Sequence, residues 1–286
     1  MKKSKELKIG CGWWGFRNLP IEDHFAIASD FGFHTLEIGI GDELVSTIPT
    51  TIDESGIQRI RELCDTYDMN IPFATIESDF TLQAQSEHEK QVHTVLKDIA
   101  VAAKLGVTHL RIFAGFTPVV DLNEEIYRRV LSAFEVCAAE CQQYDMEISI
   151  ETHGRIDHRN GVAYHTDTIS THPYWLKRLS GDLPKGVGFN YDPGNIKAVY
   201  PDNPTSGLES INSRINYCHL KDWKRKDDGW LAAAIGDDDL DYQALLPKIE
   251  FDGIYLIEYE PVGDLRDGIR RSLDYLERIG YHLDYV

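Results

Sequence analysis

Ile148-Ser-Ile-Glu-Thr-His153 is a short apolar run that ends on a glutamate and passes straight into a polar, turn-forming stretch. The same pattern returns in Phe189-Asn-Tyr-Asp-Pro-Gly194, Tyr217-Cys-His-Leu-Lys-Asp222 and Tyr255-Leu-Ile-Glu-Tyr-Glu260. If the apolar runs are parallel strands, Glu151, Asp192, His219 and Glu258 are delivered to one edge of one sheet. Three carboxylates and an imidazole brought to a point repel one another unless a cation lies among them. A mixed oxygen and nitrogen donor set of this kind suits Mn²⁺, Mg²⁺, Co²⁺ or Zn²⁺.

Working outward from these four runs, the chain reads as strands over 8–12, 35–40, 71–76, 108–113, 147–151, 187–192, 215–220 and 253–258. Helical patterns fall between and after them, over 21–31, 54–67, 86–105, 123–144, 173–179, 207–213, 242–249 and 265–279. Gly32 and Gly106 stand as helix stops, and Asp241 as an N-cap. Residues 152–172, rich in His, Asp, Thr and Gly, read as a long loop, and loops of that length in compact domains tend to carry function. Eight strand-then-helix units favour a closed (β/α)₈ TIM barrel over an open doubly wound sheet, as one domain across 1–286. The four residues are spaced by 41, 27 and 39 positions, each of the order of one unit, which places them at the tops of strands five to eight.

Composition narrows the classes of function. With 42% apolar residues the 286-residue chain can bury a large core. Its 47 acidic residues outnumber 29 basic ones, for a formal net charge of −18, which argues against nucleic acid as a partner. Runs such as Asp237-Asp-Asp239 read as solvated loop. The five cysteines include no CxxC pair, no apolar h-region follows the basic opening Met-Lys-Lys-Ser-Lys, and no stretch approaches the ~20 apolar residues of a membrane span. The expectation is a cytoplasmic protein without a membrane partner. Self-association into a homo-oligomer is left open.

The strand-one opening, Asp192-Pro-Gly-Asn195, His219-Leu-Lys-Asp222 and Gly236-Asp-Asp-Asp-Leu-Asp-Tyr242 together resemble the xylose-isomerase-like TIM barrels, a sugar phosphate isomerase/epimerase-type family, from Lys8 to about Gly280. The resemblance to ketose 3-epimerases implies one divalent metal, most often Mn²⁺, held by Glu151, Asp192, His219 and Glu258. It also implies that Glu151 and Glu258 flank the substrate carbon and exchange its proton. Such a metal would stabilise an enediolate as a Lewis acid while the two carboxylates act as base and acid. Two positions depart from the ketose epimerases: Asp157 stands where they have a glutamate and Asn195 where they commonly have a histidine. Glu151-Thr-His153 and His219-Leu-Lys-Asp222 are instead similar to inosose dehydratases, 3-dehydroshikimate dehydratases and relatives that act on cyclic ketones.

Strand alternation adds pocket candidates. His153 and Lys221 each lie two residues past a ligand, as does Glu260, and share its inward direction if the strand continues. Lys221 either anchors a polyhydroxy or anionic substrate or is a solvated loop lysine. Arg225, six after the metal histidine, matches a substrate-binding arginine of similar epimerases; its neighbours Lys224 and Lys226 equally suit an exposed basic run. Arg111 in strand four either binds a substrate oxygen or forms an ion pair with Glu37. Trp13 and Trp14 either wall the pocket or pack at the barrel rim. The expected function is a metal-dependent isomerase or epimerase of a small carbohydrate or cyclitol, with a dehydratase or lyase acting by β-elimination at the same metal as the alternative.

Overall fold

The structure, a computed structural model, describes residues 5–260 and 264–286; most of the basic opening, residues 1–4, lies outside it. Eight parallel strands, Lys5–Cys11, Thr35–Ile40, Asn70–Ile76, His109–Ile112, Glu147–Glu151, Val187–Tyr191, Ile215–Leu220 and Tyr255–Ile257, pair in chain order. The eighth closes on the first through Ile9↔Tyr255, Gly10↔Leu256 and Cys11↔Ile257, so the expected (β/α)₈ barrel is formed. Closure satisfies both edges of every strand and leaves the strand tops as one ring.

The strands alternate as a barrel requires. Leu36, Ile38, Leu110, Ile112, Ile148 and Ile150 point outward and are buried in the main core under the helices. Facing inward, Phe73, Tyr217 and Leu256 form a separate apolar cluster, with the Phe73 and Tyr217 rings edge to face at 4.8 Å. Two residues further along each strand, on the same inward face, come Thr75, His219 and Glu258. The interior therefore changes from apolar to ionisable toward the strand tops.

Local chemistry sets the helix ends. Asp53 Oδ1 accepts the Gly56 N–H at the start of Glu54–Tyr67, and Asn123 accepts from Glu125 and Ile126 at the start of Glu124–Gln142. Gly106, at φ 81°, ends Gln85–Leu105. The expected 242–249 helix is instead an α-turn, Tyr242–Leu245, followed by a 3₁₀ turn, Leu246–Lys248. Pro247 explains the break, because its ring cannot continue an α-helix past the preceding turn.

Four further elements were not expected from the sequence. The supposed loop over 152–172 contains a β-hairpin, Arg155–Arg159 with Val162–Thr166, turned through Asn160 and Gly161, both at positive φ. A second hairpin, Asp222–Lys226 with Gly229–Ala233, pairs onto the first through Trp230↔Ala163, making a four-stranded sheet beside the strand tops. A helix, Pro193–Val199, follows strand six directly. Finally, Tyr281–Tyr285 is a ninth strand, parallel to strand one from Lys5↔Tyr281 to Ile9↔Tyr285. Ile9 pairs with both Tyr255 and Tyr285, so this last strand lies on the strand-two side of strand one and fills the gap below their single bridge, Cys11↔Leu36.

Gly10, Gly12 and Gly15 have the G-x-G-x-x-G spacing that elsewhere marks a dinucleotide-binding turn. Here they let strand one pass close to strand eight: a Cβ on Gly12 would sit 3.0 Å from the Ile257 carbonyl oxygen, and on Gly15 2.2 Å from that of Tyr259. Among the described residues no helix is long and apolar enough to cross a membrane.

Candidate metal centre

Strand five ends on Glu151 itself, and Glu258 follows the last residue of strand eight. Asp192 follows strand six and serves as N-cap of Pro193–Val199, its Oδ1 accepting the Asn195 N–H at 2.9 Å. Pro193 suits the first helical position, where no N–H is needed. Gly194 lies against strand seven's exit; a Cβ there would be 2.6 Å from the Lys221 carbonyl oxygen. With Oδ1 used by the cap, Asp192 Oδ2 is buried and has no hydrogen-bond partner.

His219 is fixed from two sides. Its Nε2 is 2.9 Å from Glu37 Oε1. Asn190 Oδ1 accepts the His219 backbone N–H at 3.0 Å, which leaves the Asn190 amide nitrogen facing Nδ1 at 3.1 Å. Nε2 donates its proton to Glu37, and with a cation bound Nδ1 would offer that ion a lone pair; otherwise burial opposes a charge on the ring, but Glu258 and Glu37 outweigh it and hold its pKa well above the ordinary value. The Nδ1 edge faces Glu151 Oε1 at 3.8 Å and Glu258 Oε1 at 3.6 Å. One ligating atom from each of Glu151, Asp192, His219 and Glu258 lies within 4.8 Å of the others, and all four side chains are buried.

Each glutamate has its second oxygen on a fixed cation. Glu151 Oε2 is 3.0 Å from Arg111 Nε, and Glu258 Oε2 accepts from Lys221 Nζ at 2.9 Å. Lys221 also pairs with Glu260 at 3.1 Å, and Arg111 with Glu77 at 3.5 Å. Asn195 Nδ2 donates to Glu151 Oε1 at 3.0 Å while its Oδ1 accepts from Trp223 Nε1 at 3.2 Å, so this residue locks the glutamate.

These contacts divide the carboxylates electrostatically. Burial opposes the charge on Glu151, but Arg111 and His219 outweigh it and hold the carboxyl below the usual range. Glu37, likewise opposed by burial, is drawn down to about 2 by His219 and Arg111. Burial instead pushes Asp192 up to about 8, with Lys221 only partly offsetting it. The buried oxygen that lacks a partner and the carboxyl that resists ionisation are thus one residue, and a divalent cation among the four would supply what it lacks. The residues present fit such an ion.

Above the cluster is a cavity of about 420 Å³, whose walls include Trp14, Arg111, Glu151, His153, Lys221 and Glu258. His153 packs against Phe113 and Phe116 at 4.9 and 5.7 Å; burial lowers its pKa to about 4, so it is neutral, and Nδ1 has no partner. The first hairpin contributes residues 155–158, including Asp157, to the rim.

The structure therefore brings together Glu151, Asp192, His219, Glu258, His153, Lys221, Arg111 and Trp14. It does not bring Arg225, which lies on the second hairpin and is exposed, its guanidinium 4.9 Å over the Trp230 ring. Trp13 is buried, donates from Nε1 to Ser46 Oγ at 2.7 Å, and lines a neighbouring cavity. It covers Gly39, where a Cβ would fall 2.3 Å from the indole. The alternative Arg111–Glu37 ion pair is not made; Glu37 is taken by His219, Tyr217 and the Trp13 N–H. The sequence reading missed Glu37 as the partner of the histidine, although a carboxylate on the inward face of an apolar strand was the available signal. It also missed Glu77, two past the inward-facing Thr75.

Comparison with known proteins agrees with this architecture. The family model described as xylose isomerase-like TIM barrel matches residues 25–279. No curated protein matches the chain in sequence. Among solved structures, it is similar to a D-allulose 3-epimerase from Methylomonas sp. in complex with D-allulose, at 16% identity and TM-score 0.69, over 98% of this chain and 92% of that one. It is similar to the probable 3-DHS dehydratase AsbF of Bacillus anthracis, at 14% identity and TM-score 0.72, over 95% and 99%. A xylose isomerase-like TIM barrel protein from Mycobacterium smegmatis in complex with magnesium aligns at 13% identity and TM-score 0.69, over 95% of each chain. Closed barrel, matched residues and structural likeness agree: the chain belongs to the xylose isomerase-like TIM barrel family.

Proposed function

We propose that the chain is a divalent-metal-dependent enzyme that moves a proton at the carbon beside a carbonyl group in a small carbohydrate or cyclitol, as an isomerase or epimerase. One observation carries the reading: Glu151 and Glu258 each turn one oxygen to the His219 edge of the cluster and rest the other on a fixed cation at the cavity wall. When bound, a divalent ion, Mn²⁺ by expectation or else Mg²⁺, Co²⁺ or Zn²⁺, supplies Lewis acidity that polarises a carbonyl and makes its neighbouring C–H acidic. Glu151, Asp192, His219 and Glu258 would hold it.

The remaining work falls to the chain's own side chains. Arg111 cannot give up its proton, so it keeps Glu151 anionic and able to accept one. Glu258 takes the complementary part, delivering from the other side a proton it has taken up from solvent, to which Glu151 later loses its own, while Lys221 orients the Glu258 carboxyl. Lys221, Arg111, His153 and Trp14 contact the substrate, and the hairpin at 155–158 closes the cavity against water. The AsbF and allulose epimerase likenesses support the reaction class coarsely.

A second reading, β-elimination, is favoured by His153. A neutral, half-buried imidazole with a buried, unpartnered Nδ1 at the cavity wall is placed to hydrogen-bond a departing hydroxyl or alkoxide oxygen, whose proton Glu258 can supply. Incubation of ketoses, inososes and 3-keto-glycosides in D₂O separates the two. Deuterium beside the carbonyl of recovered sugar supports epimerisation, and an unsaturated product supports elimination. Neither, with the metal bound, would sink both.

A further inference from the structure

Beside the metal-site cavity lies a larger one of about 600 Å³, bounded by the segment after strand two, the top of strand three and the helix Gln85–Leu105. The two cavities share Glu77 and Phe116. The second is acidic, with Asp42, Glu43, Glu77, Asp79, Glu87 and Asp98 against the single cation Lys90. Half of these carboxylates are already engaged. Asp42 accepts from Thr50 N and Oγ1 at 3.0 and 2.8 Å, Asp79 from Thr81 N at 2.8 Å, and Glu77 pairs with Arg111.

Two other groups are not satisfied by the protein. Asp98 is 2% exposed and Thr75 1% exposed; both line the cavity, and neither Asp98 Oδ1 nor Thr75 Oγ1 has a hydrogen-bond partner. Buried polar atoms are almost always bonded, so a pair left open at one cavity wall points to a ligand that completes them. The acceptors ask for hydroxyl donors. The carboxylate excess repels phosphate and carboxylate groups. Trp13 and Phe116 are among the lining residues, and aromatic side chains suit the C–H surface of a ring.

We propose that this cavity is a second substrate subsite for an uncharged, hydroxyl-bearing ring joined to the ring that reacts at the metal centre. The substrate is then a glycoside of two-ring size, not a single sugar. The inference rests on the functional reading above and adds to it the size and charge of the substrate. Asp98 and Thr75 bind ring hydroxyls, and Glu77 and Phe116 lie where the two rings are linked.

The test is affinity measured by saturation-transfer NMR on protein loaded with diamagnetic Mg²⁺, with glucose, galactose, mannose and xylose against their α- and β-linked disaccharides and against glucose 6-phosphate. The expected result is a disaccharide that binds at least about tenfold more tightly than its monosaccharide, ~1.4 kcal/mol, with no gain from the phosphate. Thr94→Trp, which fills the cavity from the helix side, should erase that difference and leave monosaccharide binding and metal content unchanged. Leu82→Trp repeats the test should Thr94→Trp fail to fold. If no disaccharide in the panel gains over its monosaccharide, or if the gain survives both tryptophans, the subsite does not exist. Metal content measured on the same samples separates this from failure of the functional reading, which would show as protein that takes up no ion.

Discussion

Glu37→Gln keeps the shape of a fully buried side chain and removes its charge. Glu37 Oε1 accepts from Tyr217 Oη at 2.6 Å and His219 Nε2 at 2.9 Å, while Oε2 accepts from the Trp13 N–H at 2.8 Å. Glutamine has one carbonyl oxygen and one NH₂ group, so at best the oxygen keeps Tyr217 and His219 while the NH₂ faces the Trp13 donor. One buried N–H left unpaired costs ~1–3 kcal/mol. The surviving bonds also lose the charge assistance that makes carboxylate acceptors roughly twice as strong. For the metal, the loss falls on the residue that fixes the tautomer and basicity of His219. Removing such a partner typically weakens binding by ~10–100-fold, or ~1.4–2.8 kcal/mol. Melting of the metal-free variant and Mn²⁺ titration against a competing chelator read the two effects separately. A variant that melts lower yet binds Mn²⁺ as tightly as wild type would refute the role given to Glu37.

Lys197 is 2% exposed and pairs at 3.0 Å with the fully buried Asp222 and at 3.1 Å with Asp238, tying the second hairpin to the helix after strand six. Lys197→Ala strands the Asp222 charge and should cost ~3–5 kcal/mol in denaturant unfolding; a loss under ~1 kcal/mol would show that the cluster is solvated. Burial, with Asp42, raises Asp98 from 3.8 to about 7. Between those values the folded chain holds a proton the unfolded chain has lost, so this residue's contribution to stability falls as pH rises through that window and levels off above it. Asp98→Asn should therefore gain on wild type from pH 5 to pH 8 in denaturant unfolding, and an equal effect at both pH values contradicts the assignment.

The barrel and its four-residue cluster were legible because they depend on period. Eight apolar runs separated by helical patterns admit few folds, and Glu151, Asp192, His219 and Glu258 interrupt four of those runs at the same place. The hairpins were hidden by composition. Arg155-Ile-Asp-His-Arg159 and Val162-Ala-Tyr-His-Thr166 flank Asn160-Gly161, a strong hairpin signal, but their polar residues read as loop because neither strand buries a full apolar face. Pro193–Val199 was overlooked since Asp192 reads equally as strand end and helix cap, and the structure uses it as both. Glu37 and Asn190 act on His219 from strands two and six, and contacts that long-range have no local signature. Arg225 illustrates the converse: a position counted from the histidine lands on a hairpin strand where the side chain is exposed over Trp230 and does not line the cavity.

Everything proposed for this chain depends on the four strand-end residues forming one divalent-metal site. Elemental analysis of the purified chain after Mn²⁺ loading and removal of free ion, beside Glu258→Gln treated identically, tests it most directly. One bound ion per wild-type chain is expected, and its loss from the variant. Wild-type protein that retains no ion, or a variant that retains it fully, would rule the site out.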